Sequence, residues 1–584
     1  MVSDSDSSSV SPTQIESLYE QDFQQLRDEC LKKNVLFEDP EFLPRDEFLR
    51  ERSKQHGRDI VWLRPSAISR PDIPILVSNK NEGFNIKLGL DSWFVPAFSA
   101  IADSDALLRH VIPPDQGFSE RENYAGIFHF RFWFGRWIEI VIDDLLPTRK
   151  GELIYMRSTS PVEYWPALLE KAYAKAKGTY ELLNNWLPID ACIELTGGCP
   201  ERVKHISSLL QGDKRQVDRL FFDILRCNQN GNIPIVSFSV RTSENQQEQD
   251  QARELGLEPR YVYRITQVAD LGQGRQIVRV KNCSGCTDPQ WIGSWSPEDT
   301  NWANVPDSTR RELDGEAFHD GGFWIGFQDF LKYFDTIDFC HVNKSEDREV
   351  VFNGRWEVGL NAGGVQKGDF KNYAKNPQCF IELKSPNLED PENLCSAVIS
   401  LMQRRRPGSK VKGVNKTGFR VYRVDKDAEE LTSQFFSYRR NDGRHKAVAK
   451  TPTWQDGRET NIRVRLPVGK YCIIPSTFLT DQEGDFILRV HIEHFGTEQE
   501  DSSDSDTIIN NTETRALIER VATPAFSERS TRTELMYGGR PEGRATPIYG
   551  STSGRGTRLY GTRPGRTTPL YGSTLQLENS SYIN

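Results

Sequence analysis

Behind Pro166, apolar residues recur at helical spacing. Trp165, Leu168, Leu169, Ala172, Tyr173, Ala176 and Tyr180 share one face, and proline suits the first turn of a helix. The pattern predicts a core-facing helix, not a cofactor site. Later in the chain the period becomes two. Phe419-Arg420-Val421-Tyr422-Arg423-Val424 and Ile462-Arg463-Val464-Arg465-Leu466 alternate as half-buried strands do, and residues 486–492 supply another strand. Strands are also expected around 233–240, 261–268 and 276–280, with Gly272-Gln273-Gly274 as the turn between the last two. A helix is expected over 15–30. Helices and strands in separate stretches give an α+β chain.

Length and composition narrow the picture. A chain of 584 residues should hold several domains, and 37% apolar content supports ordinary globular cores. The expected divisions are an acidic and helical segment over 1–35, globular units over 36–184 and 185–343, a β-rich segment over 344–495, and a disordered tail over 496–584. A net charge of −9 argues against general nucleic-acid binding. No apolar run reaches the length of a membrane span, and the opening Ser3-Asp4-Ser5-Asp6-Ser7-Ser8-Ser9 is unlike a signal peptide. Ten scattered cysteines without secretory features suggest free thiols in a reducing compartment, so a cytoplasmic protein is expected. Cys283-Ser284-Gly285-Cys286 has metal or redox spacing but lacks a second pair, and incidental thiols are the better reading.

Gly89-Leu90-Asp91-Ser92-Trp93-Phe94-Val95-Pro96-Ala97 resembles the active-site helix of the calpain family, in which Gly-Asp-Cys-Trp opens an apolar helix and the cysteine attacks the peptide carbonyl. The resemblance runs from about Leu36 to Ile492. It includes Leu36-Phe37-Glu38-Asp39-Pro40-Glu41-Phe42, Tyr124-Ala125-Gly126-Ile127-Phe128-His129-Phe130, Ile140-Val141-Ile142-Asp143-Asp144-Leu145-Leu146-Pro147 and Ala167-Leu168-Leu169-Glu170-Lys171-Ala172-Tyr173-Ala174-Lys175. It implies a two-subdomain, papain-like protease core followed by a C2-like β-sandwich, whose start is resembled by Asn372-Tyr373 and Asn376-Pro377-Gln378.

The resemblance also assigns the catalytic positions. Ser92 stands at the nucleophile, Tyr261 at the base in Arg260-Tyr261-Val262-Tyr263-Arg264-Ile265-Thr266, Asn282 at the orienting amide, and Ile86 at the oxyanion-hole glutamine. A serine hydroxyl needs a strong base beside it, and a phenol with an ordinary pKa near ~10 is a poor proton acceptor at neutral pH. Losing one oxyanion donor typically costs ~10²–10³ in rate. His129, in Ile127-Phe128-His129-Phe130, reads as a structural histidine, not a substitute base. Pro96 suggests a distorted or shortened first turn behind Ser92.

Calcium in the family draws the two subdomains into register through one site in each. The acidic positions implied for the first site are Gly83 and Glu163, and for the second Gln290, Pro297, Asp320 and Gly322. Calcium prefers six to eight oxygen ligands, so Glu163 and Asp320 read as solvated remnants, and no metal or other cofactor is expected. In the sandwich, Glu389, Asp390 and Glu392 form a thin acidic patch, and Arg404-Arg405-Arg406 with Lys410 and Lys412 a basic one that suits an anionic lipid or acidic protein surface. No EF-hand loop follows Phe495. Instead an acidic linker leads to a repeat marked by Tyr537, Tyr549, Tyr560 and Tyr571, in a stretch with eight Arg against four Glu between Ala525 and Asn584. Such a tail suits multivalent partner binding, and Thr546-Pro547 and Thr568-Pro569 suit phosphorylation.

These readings converge on a calpain homologue without peptidase activity, acting by protein binding as a regulator, decoy or scaffold. Its expected partners are proteins such as calpain substrates or the cytoskeleton, or an anionic membrane surface, and not nucleic acid. Two alternatives are an interaction protein working through the sandwich and tail, and a residual endopeptidase using Ser92.

Overall fold

The computed structural model describes residues 15–493, apart from 50–58, 79–85, 88–93, 186, 230–236, 241–245, 258–261, 283–290, 315–320, 343–348, 366–368, 385, 387–391, 405–414, 438–445, 453 and 455–457. The expected tail over 496–584, with its four tyrosines, therefore lies outside the described residues.

The segment expected as one helix over 15–30 divides in two. A short strand, β1 (Glu16–Ser17), pairs in parallel with a later strand, and helix α1 (Phe23–Lys33) begins only where the Asp22 side chain accepts a hydrogen bond from the Gln25 amide. Helix α2 (Val95–Ala102) is buried along its whole length. It begins at Val95, so Pro96 takes the second helical position, where the missing N–H has no intrahelical partner to lose. The shortened turn expected from Pro96 is thus met by a later helix start. Strands β2 (Ile127–Trp133) and β3 (Trp137–Asp143) form a hairpin with β1 on its outer edge. Helix α3 (Trp165–Lys177) carries the predicted stripe, and every stripe residue through Tyr180 is buried.

Helix α4 (Pro188–Thr196) lies past the expected division at 184, yet Ala191, Cys192, Ile193 and Leu195 pack into the same first core. The second core begins after it. Its sheet is antiparallel throughout, built from β4 (Cys199–Lys204), β5 (Ser237–Val240), β6 (Val262–Asp270), β7 (Gln276–Asn282), β8 (Gly322–Gly326) and β9 (Phe334–His341) in the order β8-β7-β6-β5-β9-β4. The predicted turn joins β6 to β7. Gly272, Gln273 and Gly274 all take left-handed backbone angles there, which the two glycines adopt without strain.

From Glu349 onward the strands form two four-stranded antiparallel sheets around one core. One contains β10 (Glu349–Trp356), β12 (Cys395–Gln403), β15 (Glu459–Leu466) and β17 (Gly484–Glu493). The other contains β11 (Cys379–Leu383), β13 (Thr417–Val424), β14 (Ala449–Lys450) and β16 (Gly469–Thr477). The alternation at 462–466 places Ile462, Val464 and Leu466 in this core. The opposite face is not solvated as a half-buried strand's would be. Arg463 and Arg465 are buried as well, because the outer face of that sheet lies against β4.

Candidate functional site

Asn282 is the last residue of β7. It is buried, and its Cα faces that of Tyr263 on β6. Tyr261 precedes the first residue of β6, and Ser92 stands three residues ahead of α2; both fall outside the described residues. The elements that follow them in the chain meet. Arg264 of β6 donates to Asp103 Oδ2 at the C-terminal end of α2, and its Nη1 lies 3.4 Å from Ser99 Oγ. Ile86 lies in a two-residue strand, Ile86–Lys87, paired with Arg157–Ser158.

Glu163 is not the solvated surface charge expected of it. It is 4% exposed, and each carboxylate oxygen has a protein donor: the Ser78 amide at 2.8 Å on Oε1 and the Ser158 hydroxyl at 2.6 Å on Oε2. An isolated parallel bridge, Ile75↔Glu163, pairs this residue with the segment just ahead of Ser78. Through Ser158, the oxyanion position and the calcium remnant therefore share one small scaffold. Buried polar groups need partners, and here the partners are local.

His129 has partners of its own. Its ring nitrogens lie 2.9 Å from Asp115 and 2.9 Å from Glu139, and its ring stacks on Phe23 of α1. Burial opposes its protonation, but the two carboxylates outweigh that and raise its pKa above the ordinary histidine value. Asp115 is correspondingly held down to about 2, chiefly by its bond to His129. This histidine fastens α1 to the β2–β3 hairpin.

Residues 37–341 match the calpain family cysteine protease domain, and residues 352–491 match domain III of the calpain large subunit. The chain belongs to the calpain family. It is 36% identical over 499 residues to Calpain-B of Drosophila melanogaster, covering 81% of this chain and 51% of that protein. It is 34% identical over 500 residues to Calpain clp-1 of Caenorhabditis elegans, covering 81% and 61%. Calpain-8 of Mus musculus is 34% identical over 496 residues, covering 81% and 68%. The chain thus spans about half the length of Calpain-B. Among its described residues, no helix is long and apolar enough to cross a membrane.

Within this calpain core the first implied calcium position offers one carboxylate. That carboxylate is Glu163, whose oxygens each accept from a protein donor, and Gly83 brings no side chain. At the second position, Pro297 and Gly322 offer no carboxylate, while Gln290 and Asp320 lie outside the described residues. The two polar patches of domain III are placed only in part. Arg404 is half-buried, with its amide bonded to the Asp485 carbonyl at 2.8 Å, and Glu392 accepts from Arg465 at 3.0 Å. Arg405, Arg406, Glu389 and Asp390 fall outside the described residues, as do both cysteines of Cys283-Ser284-Gly285-Cys286.

Sequence reasoning passed over Arg264, Ser99 and Asp103. A signal was present. Ser99 and Asp103 are spaced by four in an otherwise apolar run, and Arg264 interrupts an apolar strand.

Proposed function

We propose that this calpain-family chain has no peptidase activity and acts by binding proteins, as a regulator, decoy or scaffold. One observation carries the reading. Of the four catalytic positions assigned by family resemblance, Ser92, Tyr261, Asn282 and Ile86, only Asn282 is of the required type. A serine hydroxyl ionises far less readily than a thiol, so it depends on an adjacent base. Tyr261 is a poor base near neutrality, and Ile86 has no donor for the developing oxyanion. His129, with both ring nitrogens engaged by carboxylates, is not free to serve Ser92.

Binding does not require a nucleophile. A cleft between the two cores can hold an extended peptide by backbone hydrogen bonds, so calpain substrates and cytoskeletal proteins are the proposed partners. Calcium dependence is proposed to be lost, in keeping with the protein donors that Glu163 already holds. Domain III, as a C2-like sandwich, is the proposed second contact surface.

The test uses the full chain, with calcium and with chelator, against a fluorogenic calpain substrate peptide. The expected result is saturable peptide binding and turnover equal to that of S92A. Cleavage that disappears in S92A would overturn the proposal, and absence of saturable binding would remove the cleft as the binding site.

A further inference from the structure

We infer that Arg264 is a latch that fixes the register of the two protease subdomains without calcium. On β6, Tyr263 and Ile265 enter the second core, so the residue between them faces the other way. That face meets α2 of the first core. Ser99 and Asp103 stand one helical turn apart on the same side of α2, and together they receive the guanidinium: Nη1 lies 3.4 Å from Ser99 Oγ, and Nη2 donates to Asp103 Oδ2.

Three features suit this pair to holding two bodies together. The guanidinium is planar and permanently charged, and it offers several donors in fixed directions, so it reports orientation as well as distance. Asp103 is the C-cap of α2, where the last carbonyls leave partial negative charge, so a cation placed there is favoured by the helix as well as by the carboxylate. Burial is one-sided: Arg264 is buried and Asp103 is half exposed, so opening the interface strands the buried partner while the other meets water. The thiol of Cys192 on α4 also senses Arg264, but burial holds its pKa well above the ordinary thiol value, so it brings no competing charge.

This inference goes beyond the proposed function. The latch acts on the geometry of the cleft whether or not Ser92 attacks a peptide.

Hydrogen exchange on the full chain tests it, with D103N as the first variant because an amide replaces a half-exposed carboxylate of the same shape. The latch predicts exchange of the α2 and β6 amides about tenfold faster in D103N, with the β2–β3 hairpin unchanged and calcium unable to restore protection. R264M should act on the same amides, and the double variant should be no worse than R264M alone. Unchanged exchange in D103N would overturn the latch. So would an increase spread evenly over both cores, which is the signature of general destabilisation. Protection restored by calcium would also overturn it, by returning control of the interface to the ion.

Discussion

Glu163 has structural partners of its own. Its carboxylate accepts from Ser78 and Ser158 inside the first core, and hydrogen bonds to a charged acceptor contribute about 1.5–3 kcal/mol. E163A is therefore expected to lower stability by roughly that amount in chemical denaturation, equally with calcium and with chelator. A stability difference that appears only with calcium would restore the residue as a ligand. His129 gives a pH signature. Its folded pKa is raised, so its contribution is complete below the ordinary value of ~6.5 and fades as pH rises through the folded value. Asp115, held at about 2, works in the opposite direction: its share is present above its unfolded value and is lost only as pH falls toward 2. Urea midpoints of the native chain and H129Q should differ most near about pH 5 to 6 and converge toward about pH 9. Parallel curves would show that His129 does not carry charge in the fold.

Helix α3 marks how far the residue pattern could be read at the scale of elements. Its apolar stripe was legible because the apolar residues there follow the 3.6-residue period, although the helix is buried nearly all round. Lys171 and Lys175 on the same helix were not, because their burial depends on partners far away in the chain. Lys171 Nζ reaches Asp143 at 2.5 Å, and Lys175 Nζ reaches Asp39 at 2.6 Å, Gln21 at 2.5 Å and the Val141 carbonyl at 2.7 Å. Burial pulls the Lys175 ammonium below the ordinary lysine value despite Asp39. K175M would leave Asp39 buried without its cation, at an expected cost of about 3–5 kcal/mol, and D39N in the same chain should recover most of it. Equal losses in the single and double variants would contradict the pairing. The strands show the same division. Alternation located β13, β15 and β17, but it left open what lies on their polar faces. The helix expected over 15–30 erred for a local reason, since the Asp22 cap delays the helix until Phe23. Of the candidate site, substitutions at single positions were legible. Contacts between remote segments, such as that of Arg264 of β6 with Ser99 and Asp103 of α2, were not.

At the scale of the whole molecule, buried charge joins domain III to the protease core. Arg463 of β15 donates to both oxygens of Glu201 on β4, at 2.7 and 2.8 Å, and to Glu493 at 2.5 Å, while His341 lies 2.9 Å from Glu201. Arg489 of β17 donates to the carbonyls of Gly197 and Gly198 and to Glu349, and Arg458 to Glu194. Arg463 pulls the Glu201 carboxyl far below its ordinary range despite burial. R463M is expected to cost about 3–5 kcal/mol, because it strands Glu201 and Glu493, and to separate the melting of domain III from that of the core in calorimetry. A single unshifted transition would show that apolar contact alone couples the two. The same arrangement has a practical consequence for dissecting the protein. A fragment cut to contain domain III alone would expose Arg458, Arg463 and Arg489 without Glu194, Glu201 and the Gly197 and Gly198 carbonyls, leaving Glu493 and Glu349 as partners for Arg463 and Arg489 alone. Vesicles of anionic lipid, acidic filaments and ion-exchange resins would all retain such a fragment, and the affinity measured would belong to the scar left by excision. Lipid or filament binding by domain III is therefore meaningful only when it is measured on a chain that still includes β4 and α4.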